Sequence, residues 1–267
     1  MPNIHFLDEN WLLTNFNLIF PLKNKKNLSA ALSGYLFHHR RPNKKYFDLF
    51  LQNGQYLLAI QKEFEFYQRD ARNSLIEQIC IAYLYEFEGF NLEQDLMKTL
   101  INSKNEGNYS SLIYFFWSPR YPLENKVVNK INPLWDKIFE NSIGLEDPEI
   151  DKYILSGCCK WLNSISEIDE HVMLWISKSI PYISQRDKYT IIESLSKHIN
   201  NAPEKVGIIL LELFKIEVSY EISRGKIAEM LVILYEKGII EFANKICLLH
   251  AEKGFHQFRE LYIKYNT

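Results

Sequence analysis

The sequence predicts an all-α protein, an irregular α-solenoid of about seven helical hairpins of the HEAT or TPR kind, and three observations carry that expectation. Apolar residues recur at spacings of three and four along nearly all 267 residues. Valine and threonine, the usual fillers of pleated surfaces, total only ten. Glycines number 10 and never stand closer than the pairs Gly144/Gly157 and Gly225/Gly238, so turn punctuation is sparse.

Each element follows from the same reasoning. Leu12, Leu13, Phe16 and Ile19 or Phe20 form a first stripe behind Asp8, a good N-cap, and Pro21 ends it. A second helix runs from Leu28 to His38 behind Asn27. A third starts at Lys45 and gathers Tyr46, Leu49, Phe50, Leu57 and Ile60 across an interruption at Asn53-Gly54. Asp70 caps the next, with Leu75, Ile79, Ala82, Tyr83 and Phe87 inward and Gly89 as its left-handed stop. Asn91 opens another, to about Ser103.

Residues 103–108, reading SKNEGN, are the most polar stretch and mark a weak sub-boundary within one domain spanning 1–267. Beyond it come Tyr109 to Trp117 and a helix from Leu123 to Ile143. Pro133 must kink or restart that helix, because proline lacks a donor and clashes with the preceding turn. Helices at about 148–164, 168–180, 184–199, 203–218, 221–237, 239–252 and 255–265 complete the chain. Short loops favour antiparallel neighbours, and hairpins of roughly 38 residues fall in the range of helical repeats. There is no repeating consensus, so the expectation rests on element lengths; a compact all-α domain is the alternative.

Composition and spacing narrow the function. At 47% hydrophobic and 24% charged, the chain has the means to bury a core. The glycine spacing excludes a phosphate-cradling P-loop, a dinucleotide G-x-G-x-x-G turn and a G-x-S-x-G elbow, each of which needs glycines within five positions. No cofactor is expected. Cys80, Cys158, Cys159 and Cys247 lack C-x-x-C spacing and the chain opens without a leader pattern, so the expectation is a reduced, cytoplasmic protein. The longest uncharged stretches, such as Asn10 to Leu22, stop short of a membrane span, and no membrane partner is expected.

Charge is distributed unevenly. No acidic residue occurs between Asn10 and Phe47, whereas Lys23, Lys25, Lys26, Arg40, Arg41, Lys44 and Lys45 all do. Seven cations there leave −9 for the rest of a chain whose net charge is −2. Two basic loops flank one short helix, and a hairpin would bring them to one end as a partner-binding surface. A protein partner fits best; a nucleic acid is the alternative, and a solvated loop pair the bland reading.

Other candidates read as structural. Cys247 and His250 stand three apart on one helix, but no second ligand pair accompanies them and the adjacent Cys158 and Cys159 diverge by about 100°, so no metal is expected. Glu63/Glu65, Glu86/Glu88 and Asp147/Glu149/Asp151 lie near helix ends or on polar faces, alternate residues on a helix do not face each other, and the dipole alone favours N-terminal acids such as Asp147 and Glu149. Trp117, Trp135, Trp161 and Trp175 suit a core, and Arg120 sits in a two-proline turn. No nucleophile stands beside a base, so a non-enzymatic scaffold is expected; an all-α enzyme would have to converge from distant helices around His198, His171 or the acids.

Several phrases resemble a known group: ALSGYLFHHRR at Ala31 to Arg41, FFWSPRYPL at Phe115 to Leu123, LYEKGIIEFANKIC at Leu234 to Cys247, and GFHQFRELY near the end. They are similar to the helical C-terminal halves of large bacterial anti-phage proteins whose N-terminal parts are sirtuin-like NADases or signal-transducing ATPases. The resemblance implies a sensor or oligomerisation scaffold, with an effector subunit or domain in the same system.

Overall fold

The computed structural model describes residues 9–68, 70–118, 129–216 and 224–267. Every regular element among them is helical, with no strand. The chain divides into two compact units, Met1–Tyr121 and Pro122–Thr267.

Unit 1 holds α1 (Glu9–Thr14), α2 (Phe16–Ile19), α3 (Lys25–His38), α4 (Lys44–Gln52), α5 (Gln55–Ala59), α6 (Ala71–Leu84), α7 (Asp95–Asn102) and α8 (Glu106–Trp117). Caps set several of the starts. Asn24, Asn43 and Asn105 each accept a hydrogen bond from the backbone N–H three residues on, satisfying a donor the helix leaves orphaned. The second helix thus starts behind Asn24, not Asn27. Gly54, at φ +80°, supplies the left-handed turn between α4 and α5. The core is aromatic and centres on Phe50, whose ring lies 4.9 Å from Phe16, 4.7 Å from Phe20, 4.8 Å from Tyr35 and 4.8 Å from Tyr56.

Residues 103–108 lie inside this unit, and their polarity is put to structural use. Asn105 caps α8, while the wholly buried Asn108 donates to the Ile60 carbonyl at 2.7 Å and accepts from Arg72 at 2.8 Å. The helix expected from Asn91 begins instead at Asp95, because the Asn91 side chain accepts from the Glu93 N–H and holds a turn there.

Unit 2 holds α9 (Ile131–Ser142), α10 (Pro148–Cys158), α11 (Glu170–Ser179), α12 (Gln185–His198), α13 (Pro203–Ile216), α14 (Arg224–Glu236), α15 (Ile240–Glu252) and α16 (Arg259–Asn266). Pro133 falls in the first turn of α9, where its missing N–H costs nothing. The earlier part of the helix expected from Leu123, through residue 128, lies outside the described residues, as do Arg120, the Asp8 cap and residues 217–223. Helices contact their next-but-one neighbours in two series: α9 with α11, α11 with α13 and α13 with α15; then α12 with α14 and α14 with α16. A 3₁₀ turn over Cys159–Asn163 continues α10 and packs on α12. Trp135 lies 6.0 Å from Trp161 and 5.1 Å from Trp175, ring to ring, and all three are core.

Candidate functional site

The basic residues separate into two groups. Lys23, Lys25 and Lys26 sit at the N-terminal end of α3; Arg40, Arg41, Lys44 and Lys45 follow its C-terminal end. Fourteen residues at 1.5 Å rise put about 21 Å of helix axis between them, so they do not meet at one end. All seven are exposed.

The second group borders a cleft. Tyr56 donates its hydroxyl to Gln78 at 2.6 Å, and Gln78 in turn donates its amide to the His39 carbonyl. Burial, with Tyr35 alongside, keeps the Tyr56 hydroxyl protonated and so able to donate. The His39 ring stacks on Tyr35 at 5.0 Å. This chain of contacts, buried at its base, fixes the α3–α4 connection and places Arg40 at the edge of a cleft of about 500 Å³ between α6 and α8.

The walls come from residues at helical spacing. Asp70, Asn73, Ser74 and Glu77 line one side; Ser110, Ser111, Tyr114 and Phe115 line the other. Ser111 donates to the Asn73 side-chain amide oxygen, Oδ1, at 2.5 Å and ties the walls together. Arg40 and Arg41 make no ion pair or side-chain hydrogen bond among the described residues, and Asp70 makes no capping bond to α6. The cleft therefore offers a guanidinium, the Asp70 carboxylate, hydroxyls and one exposed aromatic face, with Glu77 also in its lining. Such a set suits a ligand carrying both signs of charge together with amide groups.

The other candidates resolve locally. Asp151, wholly buried, accepts from the Asp147 backbone N–H at 3.0 Å and closes the first turn of α10. Cys247 meets the Tyr235 hydroxyl at 3.7 Å, whereas His250 takes the Ile246 carbonyl at 2.8 Å through Nδ1 and turns its ring between Phe214 and Phe258. Burial pushes the Cys159 thiol up to about 12 and raises Cys80, Cys158 and Cys247 as well. Among the described residues no three His, Cys, Asp or Glu side chains gather as a metal set.

In unit 2, His198 lines a cleft of about 770 Å³ with Glu167, Asp169, Glu170 and Glu204. Its Nε2 donates to the Leu162 carbonyl at 2.8 Å, and Asp169 is committed to the Val172 N–H as the cap of α11. His171 is exposed, near the Trp175 ring.

Sequence reasoning named Arg40 but missed the cleft beside it. The helical spacing of Asn73/Glu77 and Ser110/Tyr114 is visible in the sequence; that the two stripes face each other is not. Searches with protein-family models, curated proteins and solved structures return no match, so this cleft is interpreted from its own residues.

Proposed function

We propose that the chain is a non-enzymatic helical recognition module, an irregular α-solenoid in architecture, that docks a protein partner at the Arg40 cleft. The contacts between next-but-one helices in unit 2 support the solenoid reading, since stacked hairpins touch in that way. The observation that carries the function is the presence of Asp70 and Glu77 in the same cleft as Arg40. A phosphodiester backbone would meet the negative charge of two carboxylates there, whereas a polypeptide supplies an acidic side chain for Arg40, a donor for Asp70 and an apolar group for Tyr114. Arg41, Lys44 and Lys45 extend the positive rim and steer an acidic segment towards it. In a defence system of the kind the sequence resembles, such a module would sense a foreign protein for an effector carried elsewhere.

The test uses a short peptide of alternating glutamate and lysine, a polyglutamate peptide and a DNA duplex, each followed by fluorescence anisotropy. The mixed peptide should bind best, and changing Arg40, Arg41, Lys44 and Lys45 to glutamate should abolish its binding while circular dichroism stays unchanged. Tighter binding of duplex, with a log-log salt slope of roughly −0.9 per phosphate contact, would replace the protein reading with a nucleic-acid one. Full binding by the reversed protein would reduce the rim to a solvated surface.

A further inference from the structure

The N-terminal basic group stands in a different setting. α1 and α2 follow one another across Asn15 and end at Ile19: the Asn15 N–H bonds to the Trp11 carbonyl at 3.0 Å and the Ile19 N–H to the Asn15 carbonyl at 3.1 Å. Leu12, Phe16 and Phe20 face inward, at the four-residue spacing of one stripe, and Phe16 and Phe20 pack on Phe50. Trp11 and Leu18, seven apart, share the opposite stripe and are 47% and 79% exposed. Leu22, 41% exposed, follows just past Pro21.

Lys23, Lys25 and Lys26 continue from Leu22 without interruption; all are exposed and make no ion pair among the described residues. No carboxylate occurs anywhere from Asn10 to Phe47. Asn17, beside Leu18, bonds to Asn53 at 3.2 Å and accepts from Gln55 at 3.2 Å, so the outward stripe is held on a fixed support. Single exposed leucines need no explanation, but a tryptophan and a leucine on a pinned helix and a second leucine just past it, followed at once by three exposed lysines, form an ordered pattern.

We propose that this face docks on an anionic bilayer surface, with Leu18, Leu22 and Trp11 entering the headgroup boundary and Lys23, Lys25 and Lys26 meeting lipid phosphates and carboxylates. Leu18 and Leu22 are exposed beside a run of cations with no carboxylate from Asn10 to Phe47, a pairing of apolar and positive surface that suits an anionic bilayer. Tryptophan favours the depth where its ring is in the acyl boundary and its N–H is wet. The lysines supply the complementary charge within a Debye length of the lipid plane. The surface lies on the membrane and does not cross it: no described helix is long and apolar enough to span one.

Vesicle co-sedimentation of the full chain tests the assignment. The protein should pellet with vesicles of phosphatidylcholine and phosphatidylserine and far less with phosphatidylcholine alone, and the difference should shrink with salt. Changing Lys23, Lys25 and Lys26 together to glutamine should weaken partition on the order of 100-fold. Leu18→Glu should weaken it at least tenfold without altering thermal unfolding, because Leu18 is mostly exposed. Reversing Arg40, Arg41, Lys44 and Lys45 should leave most of the partition in place, which separates this surface from the peptide cleft. Equal pelleting with both vesicles, with neither, or an unchanged Leu18→Glu would overturn the proposal. A concentration-dependent dimer dissolved by Leu18→Glu, with no vesicle binding, would assign the stripe to a second copy of the chain instead.

Discussion

Lys160 and Asp187 form an ion pair at 2.7 Å that joins the 3₁₀ turn after α10 to the first turn of α12. The carboxylate does more than pair: its other oxygen accepts from Ser156 at 2.7 Å, and its own backbone N–H bonds to the capping Ser184 at 3.1 Å. Both partners are mostly buried, so the pair acts in a medium where charge matters more than at an open surface.

Asp187→Ala should therefore destabilise the protein by about 2 to 3 kcal/mol, because it removes the carboxylate that faces the mostly buried Lys160 ammonium and the acceptor that Ser156 uses. Burial by itself lifts the Asp187 carboxyl; Lys160, Ser156 and Ser184 outweigh it and hold the group below its ordinary 3.8. A depressed folded value means that the pair stabilises above that pH and fades as pH falls through the lower folded value. Urea unfolding between neutral pH and pH 2 should show a shallower acid limb in the variant.

His250 should give a second, milder limb. Burial lowers its proton affinity first of all; the Ile246 carbonyl opposes this and nearby Lys188 adds to it. The unfolded chain, near the ordinary 6.5, takes the proton before the folded one does, so stability falls as pH drops below about 6.5 until the lower folded value is reached. His250→Leu should flatten that fall, and a pH series of thermal midpoints checks it.

Two helical glycines should answer alanine differently. At Gly34, inside α3, an added Cβ meets nothing within 4 Å, so Gly34→Ala should stabilise by up to about 1 kcal/mol through helix propensity. At Gly207, in α13, the Cβ would lie 3.2 Å from the Phe242 Cβ and 3.5 Å from Leu234, where α15 and α14 approach. Gly207→Ala should lose that gain and Gly207→Val should destabilise by about 1 to 3 kcal/mol, as denaturation midpoints will show.

Asn108→Leu should cost about 3 kcal/mol, since it leaves the Ile60 carbonyl and one arm of the Arg72 guanidinium without their partner in a buried site. Arg72 also donates to the Phe64 carbonyl at 2.5 Å, which ties the 61–70 connection to α6. Combining Asn108→Leu with Arg72→Leu should cost less than the sum of the two, a coupling that a double-mutant cycle measures.

The sequence by itself determined the class and much of the punctuation. Local spacing suffices for the inward stripe, of which Leu12, Phe16 and Phe20 are buried while Leu13 and Ile19 are only partly so, and for a helix starting after Asp70, although the Asp70 side chain makes no capping bond. The charge run that includes Arg40 was equally legible, being a count along the chain.

Tertiary structure decided the rest. Asn105 and Asn108 read as a flexible polar stretch, yet Asn108 is buried because Ile60 and Arg72, distant in sequence, offer it a carbonyl and a guanidinium. The two basic groups read as one cluster, but the rise of α3 sets them apart and gives each different neighbours: Leu18 and Leu22 for one, the α6–α8 cleft for the other. Periodicity says which residues share a face; what that face meets depends on packing between segments far apart in the chain, which local spacing does not encode.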